Sequence, residues 1–388
     1  MADSSRVRVS VVVESSFGTT PASPAMQCLP VTGVSLKPLV QYVESAVINP
    51  TRNVQDLVRL SKSTAGGIPC ELRYSPSGGG LDLAIRSLLC STFTAAVTTG
   101  SCAITSGNNE ITRAAGSFVS DGYEVGDIIK VTNYSSGDEW RRILSVAALT
   151  LGVEGEDFNA TDAAVTVTRG ARIKNGTTTP SLSVEVAHLD LQKALLFKGS
   201  GFNTADIAVA VGALTTINFG LLGQTVEVIT SNTGTTDQFI AGATYTAPAA
   251  HPTLSPVDVQ EISVGGTIAA AASIGVSWSN NIRARERLGA EGPQSLAFPK
   301  FGVNGTVRRY FENFDSLSDY IAGTESDLWY SQTDANGRGY AISYPRTKYS
   351  NVEMPVQSND SDVYETVAMT ALEDQTEGCS VRLHRLGD

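Results

Sequence analysis

Three histidines, His188, His251 and His384, are all that this 388-residue chain offers as side chains that ordinarily titrate near neutral pH. His188 stands two residues before Asp190, a spacing that could pair a base with an orienting carboxylate. A triad also needs a nucleophile, and no serine sits in a G-x-S-x-G elbow. The pair therefore reads as an ordinary strand or surface histidine beside an acid. Gly78, Gly79 and Gly80 precede a helical pattern but lack both G-x-x-x-x-G-K-[ST] and the Rossmann spacing. They predict a flexible strand-to-helix turn, not a phosphate cradle. Asp360, Asp362 and Glu365 lack the glycine and closing glutamate of a calcium loop and predict a solvated turn. Cys28, Cys70, Cys90, Cys102 and Cys379 are odd in number, have no C-x-x-C spacing and read as reduced core thiols. No catalytic, cofactor-binding or metal-ligating residue emerges, and the expectation is a protein that is not an enzyme and needs no cofactor.

Two charged loops suggest another use for polar residues. Arg52, Asp56 and Arg59 fall in one; Arg283, Arg285, Glu286 and Arg287 fall in the other. Loops of mixed charge fix the register of a contact better than they supply affinity, so these residues are candidate contacts with another subunit. Phe17, in a Pro/Gly/Ser/Thr-rich N-terminal segment, joins them as part of an expected arm that needs a neighbour.

The elements that would carry the loops repeat. From Asn49 a polar segment leads to Gly66-Gly67. Ile68, Cys70, Leu72 and Tyr74 then alternate as a strand, and Leu81, Ile85, Leu88 and Leu89 recur at helical spacing. Asn49, Arg52 and Leu57 are matched by Asn280, Arg283 and Leu288 at one offset (280−49, 283−52 and 288−57 are all 231). A strand at Gly305–Phe311 and a helix at Asp315–Ile321 follow in the same order, which predicts duplication. Leu29–Leu36 and Tyr42–Ile48 read as strands before the first copy. Ser181–His188, Phe202–Val211 and Leu214–Gly223 complete that copy, and Gly339–Tyr344, Asn351–Val356 and Tyr364–Leu372 complete the second.

Between them the character changes. Residues 96–173 alternate short strands with Gly and Asp turns and show no helical pattern. Phe118, Tyr123, Val125, Ile128 and Val131 supply one expected core layer, and Ile143, Val146, Leu149, Leu151 and Val153 the other. The fold class expected is mainly β: two tandem β-sandwich or barrel units, each with a short flanking helix, plus an inserted small β-barrel at a loop tip. The boundaries are an N-terminal arm at 1–26, a first unit at 27–95 and 174–240, the insertion at 96–173, a Pro/Ala/Thr-rich linker at 241–256, and a second unit at 257–388.

Composition narrows the function. Hydrophobic residues at 41% against 17% charged predict an ordered protein, and the length predicts two or three packed units. A net charge of −11 excludes a protein that grips nucleic acid by its phosphates, although a wall that lets DNA slide should avoid ion pairs with it. The longest apolar run near the N-terminus, Val11–Val13, is too short for a signal peptide, and no segment reads as a membrane span. Folding in a cytoplasm is expected.

The runs SSFGTTPA, LPVTGVSL and NPTRNVQDLVRLSKSTAGGIPCELRYSPSGGGLDLAIRSLL resemble the tail tube proteins of long-tailed bacteriophages with non-contractile tails. LLFKGSGFNTADIAVAVGALTTINFGLLG, FGVNGTVRRYFENFDSLSDYIAG and ETVAMTALEDQTEGCSVRLHRL are similar to the same family, and FVSDGYEVGDIIKV resembles small β-barrels of phage structural proteins. The resemblance implies a structural virion protein that self-assembles into stacked rings whose inner wall is a continuous β-barrel. That tube surrounds the tape measure protein, meets tail terminator and tail-tip proteins, and conducts the genome DNA without binding it specifically. The charged-loop residues and Phe17 then become inter-ring or inter-subunit candidates. Two copies per chain favour three chains in a pseudo-sixfold ring over six. Acidic side chains are expected toward the lumen, and removal of residues 1–20 is expected to impair polymerisation while leaving the subunit folded. The alternatives are a related tail-tip or tail-completion ring protein, or a non-viral β-rich adhesin that binds carbohydrate; dispersed Trp140, Trp278 and Trp329 read as core residues and speak against the last.

Overall fold

A computed structural model describes residues 3–48, 50–51, 53–356, 359–360 and 362–387. Alternating valines set the first strand: β1 (Val7–Val13) buries Val9 and Val11 and is followed by β2 (Ala25–Cys28), β3 (Lys37–Glu44) and the long β4 (Leu57–Glu71). Helix α1 (Gly80–Leu88) follows, its stripe of Leu81, Ala84, Ile85 and Leu88 fully buried as the spacing predicted.

The chain then enters a closed barrel of β5 (Val97–Ile104), β6 (Glu110–Arg113), β7 (Ile128–Thr132), β8 (Glu139–Val146), β9 (Thr150–Val153) and β10 (Asp162–Arg169), paired in the order β10-β5-β6-β9-β8-β7. Phe118, Tyr123, Ile143, Phe158 and Val167 form its separate core. Contrary to the sequence reading, it contains a short helix, α2 (Phe118–Asp121), capped by the Ser117 side chain and by Gly122. Leu149 is exposed instead of buried, and Ile128 packs outside the barrel core against Trp140, Trp329, Ala341 and Leu386.

Beyond it come β11 (Ala171–Lys174), β12 (Leu182–His188), β13 (Lys193–Ala210), β14 (Thr216–Gly223), β15 (Thr225–Ile229), β16 (Thr244–Thr246), β17 (Val259–Val264), β18 (Thr267–Ile268) and β19 (Ala271–Ser279). A small hairpin, β20 (Arg283–Arg285) with β21 (Ser295–Ala297), precedes β22 (Gly302–Tyr310). Helix α3 (Asp315–Ala322), β23 (Glu325–Thr333), β24 (Gly339–Glu353), β25 (Tyr364–Ala371) and β26 (Arg382–Leu386) complete the chain.

Strand pairing repeats. In the first half β1 pairs with β12, β12 with β13, and β13 with β15; in the second β17 pairs with β23, β23 with β24, and β24 with β26. Likewise β3-β4-β14-β13 recurs as β19-β22-β25-β24. Even the register break recurs: between the Leu182↔Ser200 and Val184↔Phe197 pairs, and between Ser326↔Thr347 and Leu328↔Tyr344. The long strands β13 and β24 both turn a corner there, serving one sheet with their first halves and another with their second. Gly199, with φ +61°, makes the first corner, where a Cβ would meet Gln224 and Phe17. In β24 the corner holds Pro345, which has no N–H to give a ladder. The barrel is inserted between α1 and β12, where the second copy has only Gly323 and Thr324 between α3 and β23. One apolar core, from Val9 and Phe219 to Trp278 and Met369, runs through both copies.

Several segments differ from expectation. Leu29–Leu36 is not a strand, because Pro30 and Gly33 interrupt it; it lies along β4 through Thr32 N–H to the Pro69 carbonyl and Ser35 N–H to the Gly67 carbonyl, each 2.9 Å. The polar stretch before Gly66 is strand from Leu57 onward, and Gly339–Tyr344 with the first half of Asn351–Val356 forms one strand, β24. Residues 3–26, expected as an arm, place β1 inside a sheet, and buried Glu14 ties the following turn down by accepting from Gly18 N–H, Ser181 Oγ, Ser183 Oγ and Gly199 N–H. Within 241–256, expected as a linker, β16 pairs with β2 and Leu254 is wholly buried.

Candidate assembly surface

Antiparallel pairing through the middle of the molecule joins eight strands in the order β3, β4, β14, β13, β19, β22, β25, β24. The join between the copies is β13 to β19, from Thr204↔Ser279 to Ala210↔Ser273. One face of this sheet lies on the core; the other faces solvent. A row across the solvent face reads Pro69, Asn218, Asp206, Ser277, Asn304, Thr370 and Lys348. Asp206 accepts from the Ser277 hydroxyl, and Lys348 lies near Glu325. That row carries one acid and one lysine among proline, hydroxyl and amide side chains.

At one end of the sheet β3 and the first half of β4 project as a hairpin. Every residue of β3 is exposed, and Leu39, Val40, Tyr42, Val43, Leu57, Val58 and Leu60 leave apolar surface uncovered, Tyr42 being 52% exposed. A bare two-stranded hairpin with apolar side chains in water is the mark of an unfilled contact. The matching loop of the second copy, residues 280–301, folds back instead: Lys62 N–H donates to the Glu291 carbonyl (2.7 Å), Gln224 Nε2 to the Pro293 carbonyl (2.8 Å), and Arg59 pairs with the Glu291 carboxylate.

The candidate residues are placed unevenly. Asp56 ends the hairpin loop, its side chain accepting the Leu57 N–H at 2.7 Å, and Arg52 lies outside the described residues. Arg59 is engaged within its own chain by Glu291, and Phe17 is half-buried beside Gly199. Arg283, Arg285, Glu286 and Arg287 are exposed on the folded-back loop and make no ion pair with a described residue. What sequence reasoning missed is the apolar hairpin itself.

Neither His188 Nδ1 nor Asp190 Oδ1 finds a hydrogen-bond partner among the described residues, so the two do not pair. Asp190 accepts the Asp3 N–H (2.6 Å), and Glu365 is buried against Arg309 (3.2 Å). Among the described residues no three His, Cys, Asp or Glu side chains converge as a metal site. The glycine turn is closely packed on one side: a Cβ on Gly80 would strike the Cys28 carbonyl, and Gly78 N–H donates to Asp82 at 2.9 Å. All five cysteines are buried and free.

The family model for the phage tail tube protein matches residues 4–371, which takes in both copies and the barrel. The chain belongs to the phage tail tube protein family. No curated protein matches it. As a tail tube protein it is a structural component of the virion tail, and membership implies association with itself and with other tail components. No helix among the described residues is long and apolar enough to cross a membrane.

In this tail tube chain the barrel is bolted to the second copy by buried charges. Asp127, wholly buried, accepts from both directions: Arg172 at 2.9 Å on one side, Arg382 at 3.1 Å and His384 at 3.2 Å on the other. Burial alone would raise the Asp127 pKa, but the His384 hydrogen bond and the two guanidiniums hold it well below the usual carboxylate range. Burial, aided by Arg382 and Arg169, lowers His384 to about 4 despite Asp127. Arg142 of the barrel reaches Glu154, Asp327 and Glu377 at 3.4, 2.7 and 2.6 Å.

Proposed function

We propose that three of these chains close into a ring, that rings stack into the tail tube, and that the eight-stranded sheet of each chain lines its channel. The observation that carries this is the pairing of β13 with β19 inside the chain. The second copy ends in the same kind of edge, the latter half of β24, with no strand beyond it among the described residues. The first copy begins with an edge of the opposite sense, carried by residues 31–36 and β3. Joining the two repeats between chains the contact made within one, a heterologous association that closes when its rotation divides the circle. Closure also removes both open edges, which in a single chain invite aggregation.

Three chains with eight strands each make a 24-stranded barrel, roughly 48 Å across at the backbone for strands about 4.8 Å apart and tilted near 40°. Its lumen would present the Asn218–Ser277–Asn304–Thr370 surface. Apart from a few charges such as Asp206 and Lys348, its side chains are hydroxyls and amides, which neither hold phosphates as a run of lysines does nor repel them over distance, so genome DNA slides by lack of attachment. The projecting β3–β4 hairpin reaches beyond the sheet toward the adjoining ring. The tape measure protein in the lumen, the tail terminator and tail-tip proteins at the ends, and assembly in the host cytoplasm complete the reading.

Averaged electron-microscope images down the axis of assemblies of the purified protein test it. Threefold density with six similar lobes and long uniform tubes is expected. Six chains per ring would refute the stoichiometry, and rings that never elongate would favour a tail-tip component.

A further inference from the structure

Helices α1 and α3 occupy equivalent places in the two copies but not equivalent surroundings. The second copy covers α1: Arg385 of β26 pairs with Asp82, the Tyr340 hydroxyl of β24 accepts Ser75 N–H at 3.1 Å, and Asn280 donates to the Leu88 carbonyl at 2.7 Å. On α3 only Ser316 is buried, while Phe314 and Ile321 lie open, Ile321 at 76% exposure. A cavity of about 430 Å³ flanks it, lined with acidic Glu312, Asp315 and Asp319.

The register identifies what is missing. Phe197 corresponds to Tyr344, so Leu195 corresponds to Ile342 and Lys193 to Tyr340; pairing then makes Val228 the counterpart of Leu383. In the second copy Tyr340, Ile342 and Leu383 are buried where the core meets α1. In the first copy Lys193 is exposed, Leu195 is only partly covered, and Val228 is 66% exposed where Leu383 is 2%. An uncovered helix and an uncovered covering surface thus exist in the same chain, at opposite ends of the repeat.

We propose that the β13–β15 surface of a second copy of this chain, carrying Lys193, Leu195 and Val228, covers α3 and its Ile321. The contact rests on the ring reading and gives it a second layer behind the joined strands. Exposed Lys193 meets the acidic margin of α3, and Val228 supplies the apolar cover that Leu383 supplies within the chain.

Ile321→Asp and Val228→Asp test this in the full chain. Each is expected to leave the monomer's thermal melt unchanged and to cut ring and tube yield at least tenfold, read by light scattering and microscopy. Because each variant spoils a different half of the contact, mixing the two is expected to give a heterodimer of two 40.8 kDa chains that grows no further. Wild-type tube yield from either variant overturns the contact while leaving the ring reading intact. A mixture that stays monomeric overturns the facing of these two surfaces. Absence of rings from the wild-type chain overturns the ring reading itself.

Discussion

Arg142 of the barrel stands where three carboxylates converge, two of which, Asp327 and Glu377, belong to the second copy. Glu377 is 3% exposed and would keep Arg382 at 3.2 Å if the guanidinium were removed, whereas Asp327 would lose the one cation that faces it among the described residues. Arg142→Ala is therefore expected to destabilise the chain by about 1–3 kcal/mol, because Asp327 and Glu154 lose a buried partner while Glu377 retains one. Thermal unfolding of this variant and of Arg142→Ala with Asp327→Asn checks it, the second losing less than the first. The same site fixes a pH dependence. With His384 lowered from the usual 6.5 to about 4, the unfolded chain binds the extra proton across that interval, so this group's stabilisation falls as pH drops from about 6.5 to 4. Depressed Asp127 acts in the same direction at still lower pH. Asp327, raised to about 6, and Glu261, raised to about 7, both mainly by burial, act oppositely and favour the fold as pH falls from neutrality. His384→Gln keeps a donor for Asp127 and is expected to flatten the loss between pH 6.5 and 4 in urea titrations. None of this was legible in the sequence: Arg142 and Glu377 are 235 residues apart, and nothing local marks a charge as buried.

At the scale of elements, legibility followed burial on one face. α1 was readable because Leu81, Ile85 and Leu88 must all point one way, and the barrel because it has its own core. The β3–β4 hairpin was readable only in part: the strand expected at Tyr42–Ile48 overlaps β3 at Tyr42–Glu44 but stands too late, since a strand exposed on both faces has no alternation to fix its bounds. The offset of 231 linking Asn49 with Asn280 pointed to the right region but not the right partners: strand pairing aligns Gly67 with Thr306 and Ile68 with Val307 (306−67 and 307−68 are both 239), and Asn49 itself lies outside the described residues. It could not show that one loop projects and the other folds back, which depends on Lys62 and Gln224 meeting residues more than 60 positions away. The N-terminal segment was misjudged for a related reason: a short Val-rich strand was expected there as part of an arm, and nothing local showed that Val9 and Val11 are buried in the chain's own sheet. Deleting residues 3–13 strips β12 of a seven-residue ladder, and the expected outcome is now an unfolded chain, seen as loss of the cooperative urea transition. Replacing Tyr42 and Leu57 by lysine touches no core. Monomer stability is expected to stay within about 0.5 kcal/mol while tube yield collapses.

For the molecule as a whole, the channel reading makes the solvent face of the sheet answerable to experiment. Asn218→Lys with Asn304→Lys would place two ammonium groups in each chain along a wall that otherwise holds few charges. Side chains there are exposed, so folding and tube length are expected to be unchanged. Genome release from particles carrying the variant is expected to slow, more at low than at high ionic strength, because the new attachment is to phosphates and is screened by salt. Equal release rates at both salt concentrations would count against this sheet facing the channel.

The unlike fates of the two equivalent loops carry a last consequence. A closed set of three chains has six similar shoulders but only three prongs, standing at every other shoulder. Rotated by 60°, such an object matches its own outline and mismatches its own contacts. In the proposed tube, neighbouring layers would therefore engage in steps of 120°, and any six-parted component seated on its end would meet two kinds of socket in alternation.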